Sequence, residues 1–138
     1  MSTMNLSFES LEPGDEIPTT AVELSPDYVA AYAREIGMDA VRFTSPEGAR
    51  KEGLPGQIAP GNLTLALLAR RLLSWAPQAR LVRLGTTFRA LALAGSTAHV
   101  QGTVTEKDDA NRTVECDLWM ENGEGDRLVI GTATVAFP

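Results

Sequence analysis

One histidine, His99, and one cysteine, Cys116, are the whole supply of their kinds in 138 residues. A lone cysteine forms no internal disulfide, so the sequence fits a reducing compartment. A lone histidine rules out His-rich zinc or iron sites and chemistry that needs two imidazoles. Cations are also scarce: twelve Lys and Arg stand against eighteen Asp and Glu, a net charge of −6. That balance argues against nucleic acid or an anionic membrane surface as the main partner, because both require a clustered cationic excess. The longest strongly apolar stretch, Leu63 to Trp75, is broken by Arg70 and Arg71. It falls short of the roughly 20 residues that span a bilayer. Met1 to Ser10 carries Glu9 and no basic cluster, so it does not read as a secretory leader. The expected address is the cytoplasm.

What is present is enough apolar residue to bury a core: 43% hydrophobic, with 22% charged. The length fits one domain, residues 11–138, behind a loose N-terminal arm of residues 1–10. Glu12-Pro13-Gly14-Asp15 is a turn. Glu16 to Leu24 reads as a strand that Pro18 confines to an edge. Ser25, Pro26 and Asp27 supply an N-cap, a first-turn proline and an acid at the positive end of a helix. Tyr28, Val29, Tyr32, Ala33 and Ile36 continue that helix at its period until Gly37. Met38 to Thr44 is ambiguous. Ser45-Pro46-Glu47 repeats the cap pattern for a short helix to about Lys51, and Gln57 to Pro60 is an extended connector.

Gly61 to about Ala76 is the main helix, stopped by Pro77. Its apolar residues run nearly all the way round, which predicts burial of most of its surface. Four alternating segments follow: Ala79–Arg89, with Val82, Leu84 and Phe88 on one face, then Thr97–Glu106, Thr113–Glu121 and Leu128–Phe137. Turn-rich joints at 107–111 and 122–126 make the last three an antiparallel meander. One strand, helices, a long buried helix and four strands define an α+β fold. The simplest way to bury the helix is to wrap the antiparallel sheet around it, the hot-dog arrangement. A sheet of this kind leaves an open edge and an apolar patch that a second copy would cover, so a dimer is expected.

Leu11-Glu12-Pro13-Gly14-Asp15, Ser45-Pro46-Glu47-Gly48-Ala49 and Gly53-Leu54-Pro55-Gly56-Gln57-Ile58-Ala59-Pro60-Gly61 follow one another at compatible spacings. Phe88-Arg89 with Gly95 and Thr97, then Asn122-Gly123 and Gly131-Thr132-Ala133-Thr134-Val135, complete the series. Together these resemble the MaoC-like family of (R)-specific enoyl-CoA hydratases and acyl dehydratases, from about Leu11 to Val135. The resemblance implies an acyl thioester ligand, carried on coenzyme A or an acyl carrier protein, with no other cofactor and no metal. In that family an Asp and a His hold a water and shuttle its proton. A backbone N–H at the start of the central helix polarises the thioester carbonyl.

The resemblance fails where the chemistry lies. Anchored on Ser45-Pro46 and Ala49, Met38 falls at the catalytic Asp, Ala40 at the Asn of the motif and Phe43 at the His. A one-residue shift aligns Asp39 with the Asp but places Thr44 at the His. Asp39 is therefore the one catalytic candidate, set against a solvated loop carboxylate. Gly61 is retained as a carbonyl-binding position, set against a glycine required for close packing. Asn62, Phe43 and Ala59 complete the substrate-binding set that the resemblance implies. His99 shares a polar strand face with Thr97, Gln101 and Thr103, which suits a surface imidazole. Arg42 reads as a loop cation, Arg70 and Arg71 as partners of the helix dipole, and Cys116 as a buried small hydrophobe. Trp119, on the face opposite Cys116, suggests a subunit contact.

Three functions fit. The first is a thioester-binding subunit that lacks the Asp/His pair and works as a homodimer or, more fittingly, as a heterodimer with a catalytic MaoC-like chain. The second is an active hydratase or dehydratase using Asp39. The third is a hot-dog thioesterase, disfavoured because Gly61–Ala76 contains no Asp, Glu or His.

Overall fold

The computed structural model describes residues 6–138. The chain runs β1 (Glu16–Leu24), α1 (Pro26–Glu35), α2 (Val41–Thr44), α3 (Pro46–Lys51), α4 (Gly61–Trp75), β2 (Arg80–Phe88), β3 (Ser96–Asp108), β4 (Thr113–Glu121) and β5 (Arg127–Ala136). The five strands form one sheet in the order β1-β3-β4-β5-β2, and every pairing is antiparallel. Helix α4 packs against β2, β3 and β4. Leu63, Leu67, Leu68 and Leu72 enter a core shared with Val100, Val104, Cys116, Leu118, Met120, Ala133 and Val135. This is the expected hot-dog architecture.

The caps act as the sequence indicates. Ser25 Oγ accepts the Tyr28 N–H at 3.1 Å, and Ser45 Oγ accepts the Gly48 N–H at 3.0 Å. Each satisfies one of the orphan donors at a helix start. Gly37 closes α1 at φ +75°, a left-handed conformation that favours glycine. The Met38 N–H then reaches back to the Ala33 carbonyl at 2.8 Å, which fixes where residue 38 emerges.

Four expectations are corrected. Of the loose arm, residues 1–5 lie outside the described residues, but 7–10 form a docked turn. Phe8 is buried against Phe137, with Lys107 and Arg112 over its ring at 4.5 and 4.9 Å. Arg112 also pairs with Glu9 at 2.7 Å. Secondly, α4 is buried on one face only, and Ala66, Leu73 and Ser74 are exposed in the single chain. Thirdly, a register shift between Leu81 and Arg83 turns Leu81 and Leu84 toward the core and leaves Val82 exposed. Alternation alone cannot reveal a bulge, because one extra residue reverses the facing of all that follow. Fourthly, Arg71 is not mainly a dipole partner. Its Nε and Nη2 donate to the Pro18 carbonyl at 2.9 and 2.7 Å, tying α4 to β1, and partial burial lowers its pKa.

Candidate functional site

The site is assembled where α4 begins. Pro60 precedes the helix and offers no side-chain cap. Among the described residues, nothing accepts the Gly61 or Asn62 N–H. The connector before them is pinned on both sides. The Ile58 N–H donates to the Arg42 carbonyl at 2.9 Å, the Ala59 N–H to the Ala92 carbonyl at 2.8 Å, and the Ala94 N–H to the Gln57 carbonyl at 2.9 Å. Gln57, buried to 3% exposure, adds a clamp: its Nε2 donates to the carbonyls of Phe43 at 2.7 Å and Pro26 at 3.1 Å. The start of α1, the end of α2 and the entry to α4 are thereby held together.

Met38 is brought to the helix start. Asn62 Nδ2 lies 3.3 Å from Met38 Sδ, and the Tyr32 hydroxyl lies 3.4 Å from the Asn62 carbonyl. The Phe88 ring covers Gly61 so closely that a Cβ there would stand 3.0–3.3 Å from three ring carbons. Gly61 thus meets the close-packing requirement as well as presenting a free N–H. Phe43 is half-buried; its own N–H is spent on the Ala40 carbonyl at 2.9 Å. Ala59 is buried and contributes no free donor.

The candidate acid is not gathered in. Asp39 is exposed, and among the described residues it makes no ion pair or side-chain hydrogen bond. Arg42 is engaged elsewhere, 3.0 Å from Glu52. His99 lies in β3, opposite Ala21 of β1 and Glu121 of β4. Its neighbours Ala98 and Val100 face the core, so the imidazole lies on the outer side of the sheet, away from α4. Cys116 is buried, and burial pushes its thiol up from 9.0 to about 12, with the Glu115 and Asp117 carboxylates adding to the effect. Such a thiol is inert at neutral pH. No three or more His, Cys, Asp or Glu side chains cluster as metal ligands among the described residues. No helix there is long and apolar enough to cross a membrane.

Two concavities lie outside this region. One, about 430 Å³, runs between β1 and α4 beside Tyr28, Arg70, Arg71 and Ser74. The other, about 690 Å³, lies on the outer face of the sheet between Thr87, Thr103, Asp117 and Trp119, whose ring carries the Arg127 guanidinium at 4.5 Å. Neither includes residues 38–43 or 59–62. Sequence reasoning missed Phe88 and Gln57 as parts of the helix-start region. Phe88 reads there only as a core-facing strand residue, while Gln57 stands as a lone polar residue in a connector otherwise made of Ile, Ala and Pro.

With the architecture and the helix start in view, the comparisons decide the family. The MaoC like domain family model matches residues 9–121. The chain belongs to the MaoC-like domain family. No curated protein matches it by sequence. Among solved structures, the MaoC-like chain is similar to the R-hydratase PhaJ1 from Pseudomonas aeruginosa, with a TM-score of 0.90 at 20% identity over 97% of this chain and 86% of that one. It is also similar to the (R)-hydratase from A. caviae involved in PHA biosynthesis, at 0.87 and 20%, covering 94% and 99%. A third relative is a chain of the ChsH1-ChsH2 complex from Mycobacterium tuberculosis, at 0.84 and 18%, covering 92% and 98%.

Proposed function

We propose that this chain is an acyl-thioester-binding MaoC-like subunit that carries no proton-transfer pair of its own and depends on a catalytic MaoC-like partner. The observation that supports it best is Met38. Where the family's motif has an Asp, a thioether lies against Asn62 at the start of α4. A thioether cannot take a proton from water at neutral pH, and the sole imidazole lies on the outer side of the sheet. The helix-start N–H groups remain available to a thioester carbonyl. The chain would contribute a wall and a carbonyl contact to a cleft whose acid–base pair comes from the other subunit. The resemblance to one chain of the ChsH1-ChsH2 complex is compatible with such an assembly.

Hydration adds water across the enoyl double bond, the oxygen to C3 and a proton to C2. A positioned proton carrier contributes roughly 10²–10⁴ in rate. The purified chain is therefore expected to hydrate crotonyl-CoA negligibly, followed by loss of the enoyl absorbance. A second MaoC-like chain bearing the intact Asp and His should restore turnover on mixing. Ordinary turnover by the chain alone, abolished in Asp39→Ala, would overturn the proposal in favour of an active hydratase. Release of free coenzyme A thiol would overturn it in favour of a thioesterase.

A further inference from the structure

The acidic total conceals an uneven distribution of charge. From Gly53 to Thr105 the sequence holds five arginines (70, 71, 80, 83 and 89) and no Asp or Glu. All eighteen acids lie outside this stretch. The stretch contains α4, the connectors on either side of it, and β2, one of the two outermost strands of the sheet. The β2 edge is open and largely exposed. Val82 is 49% and Phe88 55% exposed, and Leu91 and Leu93 continue the apolar surface just beyond the strand. Arg80 and Arg89 are exposed at its two ends and make no ion pair among the described residues. Arg83 keeps a 3.6 Å contact with Glu115 on the outer face.

We infer that this edge is built to pair with an acidic edge strand of a different subunit, and that its arginines select against pairing with a second copy. The inference rests on the partner-dependent reading above and names the partner's chemistry. A two-fold contact between identical strands brings each patch against itself. Two copies of β2 paired antiparallel about the middle of the strand would bring Arg80 of each chain toward Arg89 of the other, with no acid on either strand to relieve them. Like charges across a strand pair are unfavourable, and juxtaposed like charges suppress wrong partners at an interface. An acidic strand turns the same residues into attractive contacts beside the exposed Val82 and Phe88.

The test uses this chain as its own probe. Arg80→Glu/Arg89→Glu changes two exposed, unpaired residues and supplies an acidic edge; circular dichroism confirms that it folds. Sedimentation of the wild-type chain is expected to show weak self-association that tightens at least about threefold between about 0.05 M and about 0.5 M NaCl, as repulsion is screened. Mixed at low salt with the variant bearing a mass tag, it should give heterodimers above the statistical half by native mass spectrometry. That excess should vanish at high salt. A wild-type homodimer equally tight at both salt concentrations, statistical mixing, or no association in any combination would each overturn the inference. Should the variant fail to fold, the salt response of the wild-type chain decides alone. Crotonyl-CoA hydration by the isolated chain is a separate readout: it would remove the partner-dependent reading whatever the salt response.

Discussion

At the scale of single residues, Cys116 links burial to alkaline stability. In the fold its thiol stays protonated up to about pH 12, whereas the reference thiol ionises near 9.0. Between those values the unfolded chain binds fewer protons than the folded one, so stability falls as pH rises. It is unaffected by this group below pH 9. Urea unfolding at about pH 8 and about pH 10.5 should show a loss that is smaller in Cys116→Ala, although alanine costs some packing at both pH values. Gly102 makes a steric prediction. A Cβ there would collide with the Asp117 carbonyl and stand 2.9 Å from Leu118 Cδ2. Gly102→Ala should therefore cost about 2–3 kcal/mol in urea unfolding. Gly123→Ala, with open space around it, should stay within about 0.5 kcal/mol. The inward facing of Gly102 and Cys116 was legible from alternation; what a methyl group would strike at Gly102 was not, since that depends on which residue of β4 lies opposite.

At the scale of elements, Gln57 carries more than its own helix-free segment. Its amide N–H groups hold the ends of two other elements through the Phe43 and Pro26 carbonyls. Gln57→Leu removes both donors, and orphaned acceptors cost about 1–3 kcal/mol each when buried. The expected result is a destabilisation of about 2–3 kcal/mol with faster amide exchange over residues 38–44, read by hydrogen exchange. Loss of stability with unchanged exchange in that segment would refute the clamp. Element boundaries were largely legible because their determinants are local. Ser25 and Ser45 announce helix starts, Gly37 a helix end, and the two turn-rich joints the meander. The bulge in β2 and the docking of Phe8 were not, because both are set by long-range partners, Val135 and Thr134 for the one and Phe137 for the other. The single-sided burial of α4 was missed for a related reason: an all-round apolar helix in one chain does not say which face the same chain covers. At the helix start, the sequence marked Gly61 and the missing histidine, but only the turn after α1 shows that residue 38, rather than 39, reaches Asn62.

At the scale of the whole molecule, the candidate site and the docked N-terminal turn lie at opposite ends of the sheet. The helix start lies at the end where β3 begins, next to the Ala92–Ala94 connector. Phe8, Phe137 and the β3–β4 turn lie at the other end. The thirteen residues of β3 separate the two by roughly 40 Å. Glu9 and Pro138 therefore both lie far from the start of α4, held together by Arg112, which reaches the Pro138 carbonyl at 2.8 Å as well as Glu9. A fluorophore or immobilisation handle attached at Ser10 or Pro138 would stand clear of the start of α4, so surface-tethered binding assays and energy-transfer reporters can be mounted on this protein without touching residues 38–43 or 59–62.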